Sequence, residues 1–297
     1  MRKAAFSTVL GGAAAGVAAL AAWAGGPGPA FRIEHARALT TVVTDVSSNW
    51  AGYVATGIGS TSTTASSSMA YTDVTGQWTQ PSAICTPGSS SSAALWVGLG
   101  GYSTSAQELE QAGTSADCDR NGKATYYAWY ELVPADSVNV KLKINPGDVI
   151  AATVCTTDGS STCVANGTDI LVQVKDRTRH TSFTKHLQMS AHDLTSAEWI
   201  IEAPALCGSS GSCSEIPLTN FGTVNFSRTY ARGNNIPGTI TNSNWMSTAI
   251  QLVPESSRPS YRGNDQAAGN GAGALPGSLA ADGSGFTVTW QANPATG

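Results

Sequence analysis

Tyr126-Tyr127-Ala128-Trp129-Tyr130-Glu131-Leu132-Val133, followed by Val138-Asn139-Val140-Lys141-Leu142-Lys143-Ile144, decides the fold class. The first run is dense in aromatic and branched residues and stops at Pro134, while the second sets Val138, Val140, Leu142 and Ile144 against Asn139, Lys141 and Lys143. Alternation of period two gives each face of a half-buried strand its own set of side chains. Pro146-Gly147-Asp148 then turns the chain into a further strand at 149–155. Further along, residues 170–175 and 181–187 flank Asp176-Arg177-Thr178-Arg179, which predicts a hairpin with its charged tip in solvent. Phe286, Val288 and Trp290 alternate with Thr287 and Thr289 and predict a closing strand, whereas the Pro/Gly/Asn/Ala composition of 255–280 predicts a long loop. No amphipathic helix of three turns is apparent, and strand signals recur at short spacing from Asn49 onward. The expected fold is therefore all-β, one antiparallel sandwich and not two domains.

The start of the chain carries a different signal. Met1-Arg2-Lys3 is basic, residues 4–23 are mostly small and apolar, and Ala22-Trp23-Ala24 has small residues where a signal peptidase reads. Residues 1–24 are expected to be a signal peptide, 25–45 a propeptide or flexible leader, and 46–297 one domain working outside the cell. A membrane anchor fits less well, because alanine and glycine dominate the run and Gly25-Gly26-Pro27-Gly28-Pro29 follows at once. Removing residues 1–44 takes away four of 16 basic and one of 20 acidic residues, leaving a net charge of about −7. That balance, without a basic cluster, is a poor match to nucleic acid or an anionic membrane. Only 12% of residues are charged, so hydroxyl groups cover much of the surface, which suits work in acid because hydroxyls do not titrate there.

All six cysteines, at 85, 118, 155, 163, 207 and 213, lie in the expected domain. An even count in an exported chain implies disulfides, with fifteen pairings formally open. Cys155 with Cys163 and Cys207 with Cys213 would close short loops, leaving Cys85 with Cys118. No C-x-x-C pair occurs, and His180, His186 and His192 are not spaced for zinc beside any cysteine. No metal or other cofactor is expected.

Common hydrolytic signatures are missing: no G-x-S-x-G, no H-E-x-x-H and no paired Asp-Thr-Gly or Asp-Ser-Gly loops. Carboxylates and amides remain. Ala197-Glu198-Trp199-Ile200-Ile201-Glu202 carries two acids in an apolar strand, and residues 198, 200 and 202 would share one face. A carboxyl held against apolar neighbours has its pKa raised and can serve as base and then as acid.

Ser48-Asn49-Trp50-Ala51-Gly52-Tyr53, Leu95-Trp96-Val97-Gly98-Leu99, Glu110-Gln111-Ala112-Gly113, Tyr127-Ala128-Trp129-Tyr130-Glu131 and the 197–202 run resemble, in order and separation, the blocks of the eqolisins. These are glutamic peptidases of fungi and some bacteria, and the chain reads as a secreted bacterial member. The resemblance implies a sandwich of two bent antiparallel sheets of the concanavalin-like or jelly-roll type, with substrate on a concave face. It places the catalytic glutamate on Glu202 and the catalytic glutamine on Gln111, with Trp96 lining the cleft and Trp50 and Glu131 in support. Cys207 and Cys213 resemble a small disulfide loop of the family. Trp129 reads as a core residue, and Glu198 as a neighbour on the sheet face. Two departures stand out: Gly100 and Tyr127 occupy positions where fungal members place aspartates.

The implied reaction is hydrolysis of polypeptide substrates by a monomeric acid-acting endopeptidase. Glu202 would take a proton from water and return it to the leaving nitrogen, while Gln111 would stabilise the oxyanion. Two alternatives remain at this stage. A glycoside hydrolase would pair Glu202 with Glu131 or Glu198, and a carbohydrate-binding sandwich would need no catalytic acid.

Overall fold

The structure, a computed structural model, describes residues 42–58, 69–104, 106–189, 191–207, 213–254, 271–292 and 294. The expected signal peptide and most of the expected leader lie outside them. Among the described residues the chain forms strands and no helix. The first six are β1 (Val42–Ser47), β2 (Trp50–Thr56), β3 (Tyr71–Thr79), β4 (Ser91–Gly100), β5 (Leu109–Cys118) and β6 (Ala124–Val133). Next come β7 (Val138–Val140), β8 (Val149–Thr157), β9 (Asp169–Asp176), β10 (Thr181–Gln188), β11 (Ser196–Glu202) and β12 (Ala205–Cys207). The last six are β13 (Cys213–Glu215), β14 (Thr223–Gly233), β15 (Ile236–Gly238), β16 (Met246–Leu252), β17 (Gly273–Pro276) and β18 (Gly285–Gln291).

One layer runs β7-β6-β5-β4-β11-β2-β16 and the other β10-β9-β8-β3-β14-β18-β17. They are not separate sheets, because Leu252 of β16 pairs with Ala274 of β17 and makes the sandwich one continuous, folded sheet. β1 pairs parallel with β16, and its first four residues belong to the segment expected to be leader. The other pairings between named strands are antiparallel. Tyr53, Leu95, Val97, Trp199 and Ile201 of the first layer share the main core with Val74, Trp78, Val154, Phe226 and Phe286 of the second. Burial of each such side chain contributes roughly 1.5–3 kcal/mol. The polar ends of two indoles in this core are matched too: Trp78 Nε1 donates to Thr114 Oγ1 at 3.0 Å, and Trp199 Nε1 to the Thr75 carbonyl at 2.8 Å.

Most expected strands are present, and the differences have local causes. The run expected over 138–144 is a ladder strand only to Val140, because the Leu142 N–H turns back to the Val140 carbonyl while Leu142 and Ile144 stay buried. β17 lies inside the expected long loop, where β16 and β18 supply ladder partners on both sides. The hairpin tip is not simply solvated. Arg179 Nε lies 2.9 Å from Asp148 and 3.4 Å from Asp176, two nearly buried carboxylates that need a cation.

Two disulfides, Cys85–Cys118 and Cys155–Cys163, match the expected pairs. They close loops worth about 3–4 and 2–3 kcal/mol by loop-entropy reasoning. Cys207 and Cys213 are register partners in the small β12–β13 ladder, but their side chains lie outside the described residues.

Candidate active site

Register places the expected site residues on one face of the first layer, opposite the main core. Glu202 on β11 lies across from Trp50 on β2 and Ala94 on β4. Two residues along, Ile200 lies across from Trp96, and Trp96 from Gly113, which faces Trp129. Two further along, Glu198, Gly98, Gln111 and Glu131 form one row across four strands. Glu202, Gln111, Trp96, Trp50 and Glu131 are all buried on this face. Trp129, expected to be a core residue, is fully buried and packs with Trp50, Trp96, Ile200 and Ile250 in a second apolar cluster on this face.

Glu202 accepts a hydrogen bond on each carboxylate oxygen. Asn49 Nδ2 donates to Oε1 at 3.0 Å, and Trp96 Nε1 donates to Oε2 at 2.9 Å. Burial pushes the carboxyl up to about 8, while the indoles of Trp96 and Trp50 and the Asn49 amide pull it back and Glu215 adds a small upward push. Trp50 edges against Trp96 with centroids 4.9 Å apart. Trp96 itself fits because β4 and β5 place glycines around it. A Cβ on Gly98 would sit 2.9 Å from Trp96 Cζ3, and one on Gly113 would run into the Leu95 carbonyl.

Gln111 donates from Nε2 to Glu131 Oε2 at 2.7 Å, which fixes the amide's orientation and leaves Oε1 without a partner. Its second N–H and its oxygen therefore remain available. Gln111 and Glu202 are not adjacent: they lie two strands apart, with Trp96 of the intervening strand between the rows. Glu198 is fully buried with neither oxygen partnered, and burial raises its pKa well above the usual carboxylate range, with Asp193 and Glu110 adding to the push and Ser196 opposing it.

Each of the two sequence departures has a carboxylate nearby. Tyr127 donates to Asp117 Oδ2 at 2.8 Å and Ser92 donates to Oδ1 at 2.5 Å, so β5 supplies a carboxylate beside the position where Tyr127 stands. Beside Gly100, Asp193 Oδ2 accepts the Gly101 N–H at 3.0 Å. Asn49, Ser47, Asp117 and Glu110 were not singled out in the sequence; Asn49 and Glu110 lay within quoted blocks, the one signal that could have found them.

The sequence model described as the peptidase A4 family matches residues 48–261, which spans every strand of this face. The chain belongs to that family. Aspergillopepsin-2 of Aspergillus niger is 30% identical over 207 residues, covering 63% of this chain and 65% of its own length. The chain thus spans somewhat under two thirds of that relative. Two crystal structures of scytalido-glutamic peptidase with transition-state analogues, one of them peptide-based, superpose with a TM-score of 0.58 at 20% and 22% identity. Each comparison covers 82% of this chain and 98% of the other, and shows that the chain shares their fold.

Proposed function

We infer that the chain is a glutamic endopeptidase that hydrolyses peptide bonds by general-base attack of water, without a covalent intermediate. Family membership supports the peptidase class. The observation that carries the mechanism is the Glu202 carboxylate, buried on one sheet face with an N–H donor on each oxygen. Two donors and no acceptor hold it as a base, and the apolar surroundings make the proton easy to return to the leaving nitrogen.

Gln111 stands on the same face with an uncommitted oxygen and N–H. Its oxygen can orient the attacking water and its N–H can stabilise the oxyanion at any pH. Glu131 keeps that amide from rotating, and Trp96 and Trp50 wall the site. The attacking water donates a hydrogen bond to Glu202 and so lowers the carboxyl's pKa from about 8. Operation in acid rests on that fall. Two disulfides accord with work in an oxidising compartment outside the cell.

A two-carboxylate glycosidase is less well served. Glu198 and Glu202 are four residues apart on one strand, roughly 13 Å at the usual rise per residue, against about 5–9.5 Å in such enzymes. Glu131 is committed to Gln111.

The test is digestion of a denatured protein from acid to neutral pH by the wild-type chain and its Glu202→Gln variant, with thermal unfolding to verify the fold. Activity lost in a folded variant is expected. Equal activity in both proteins would overturn the mechanism.

A further inference from the structure

The turn between β1 and β2 holds Glu202 through a contact that reaches back to Ser47. Ser47 Oγ donates to Asn49 Oδ1 at 3.1 Å and accepts the N–H groups of Asn49 at 3.3 Å and Trp50 at 3.1 Å. With its oxygen taken by that hydroxyl, the Asn49 amide can present only its NH2 to Glu202. The backbone around the pair is pinned on both sides: the Ala203 N–H donates to the Asn49 carbonyl at 2.8 Å, and the Val253 N–H to the Ser47 carbonyl at 2.9 Å. Ser47 is itself buried at the end of β1, whose pairing with β16 ends at Ser47 opposite Leu252.

We propose that Ser47 is a positioning residue for hydrolysis, locking the Asn49 amide so that a donor always faces Glu202. The inference rests on the reading of Glu202 as the base. Without the hydroxyl, the amide can turn over and set its oxygen against a carboxylate oxygen, an arrangement that only a protonated Glu202 tolerates. The ionised base then becomes scarcer at a given pH. Other groups bearing on Glu202 are the Trp96 indole from β4, the Trp50 indole from β2 and the Glu215 carboxylate from β13; of these, only Trp50 touches the Ser47 hydroxyl, and through its backbone N–H, not its indole.

The experiment measures kcat and KM against pH for the wild-type chain, Ser47→Ala, Ser47→Thr and Asn49→Ala, with Glu202→Gln alongside and thermal unfolding for each. Ser47→Ala is expected to move the acid limb of the kcat profile upward by about one pH unit. It should lower kcat about tenfold below that limb with KM little changed, and Ser47→Thr should restore the wild-type profile. Asn49→Ala keeps both N–H bonds to Ser47 and is expected to shift the limb in the same direction, which provides the test if Ser47→Ala does not fold. An unshifted limb in folded Ser47→Ala or Asn49→Ala, with Glu202→Gln inactive, would overturn the lock and leave the general-base reading standing. Activity retained by Glu202→Gln would overturn both.

Discussion

Two opposing influences meet at Glu202: an environment that resists ionisation and a pair of donors that favour it. A carboxyl with a raised folded-state pKa gains its charge only as pH climbs, so a reaction that needs the base weakens as pH falls through that value. Trp96→Phe keeps an aromatic ring, though a smaller one, and removes the donor on Oε2. It is expected to move the acid limb of kcat/KM to higher pH and to lower the rate in acid, and an unshifted profile would show that the indole N–H does not bear on the base. Gln111→Ala, which removes the oxyanion donor, is expected to cost about 100- to 1000-fold in kcat with a smaller change in KM. A fall confined to KM would assign Gln111 to binding alone.

The site is made by strand pairing more than by loops. Trp96 reaches Glu202 because β4 lies between β11 and β5 and because Gly98 leaves room for the ring edge. Gly98→Ala should displace the indole. Activity is expected to fall at least tenfold with little loss of thermal stability, read from kcat and the unfolding midpoint; wild-type kcat would mean the ring adapts. Strands such as β6, β8, β9 and β18 were legible because alternation or aromatic density within one segment suffices to mark them. The face carrying Glu202 was legible from the 197–202 run, since period two fixes which side chains go together. β17 was not, because Gly-Ala-Leu-Pro reads as loop and becomes a strand only through neighbours on both sides. Nor was the Asn49 contact, which joins residues 153 positions apart and depends on register that no local pattern encodes. The joining of two layers into one sheet is likewise a property of pairing.

Taken as a whole, the molecule buries several acids. Burial raises the pKa of Glu110 and Glu198 well above the usual range, of Glu202 to about 8 and of Asp73 to about 6. A raised folded-state pKa means that the native state holds protons the unfolded chain has released, so stability is full below about pH 4 and declines as pH rises through the folded values. The unfolding midpoint is therefore expected to fall from acid to neutral pH, and a flat or rising midpoint would contradict this. Neither Glu110 oxygen has a partner, so Glu110→Leu should raise the midpoint more at pH 7 than at pH 4. Among the described residues the main path of the continuous sheet ends at β7 and β10. An unpaired strand edge invites another chain to add to it. β7 is only three residues long, and β10 carries Lys185 and His186 among exposed hydroxyl and amide side chains. A basic side chain on an edge strand opposes pairing with a second chain. The long edge is therefore guarded against fibre-like stacking by basic side chains of opposite sign to the protein's net charge.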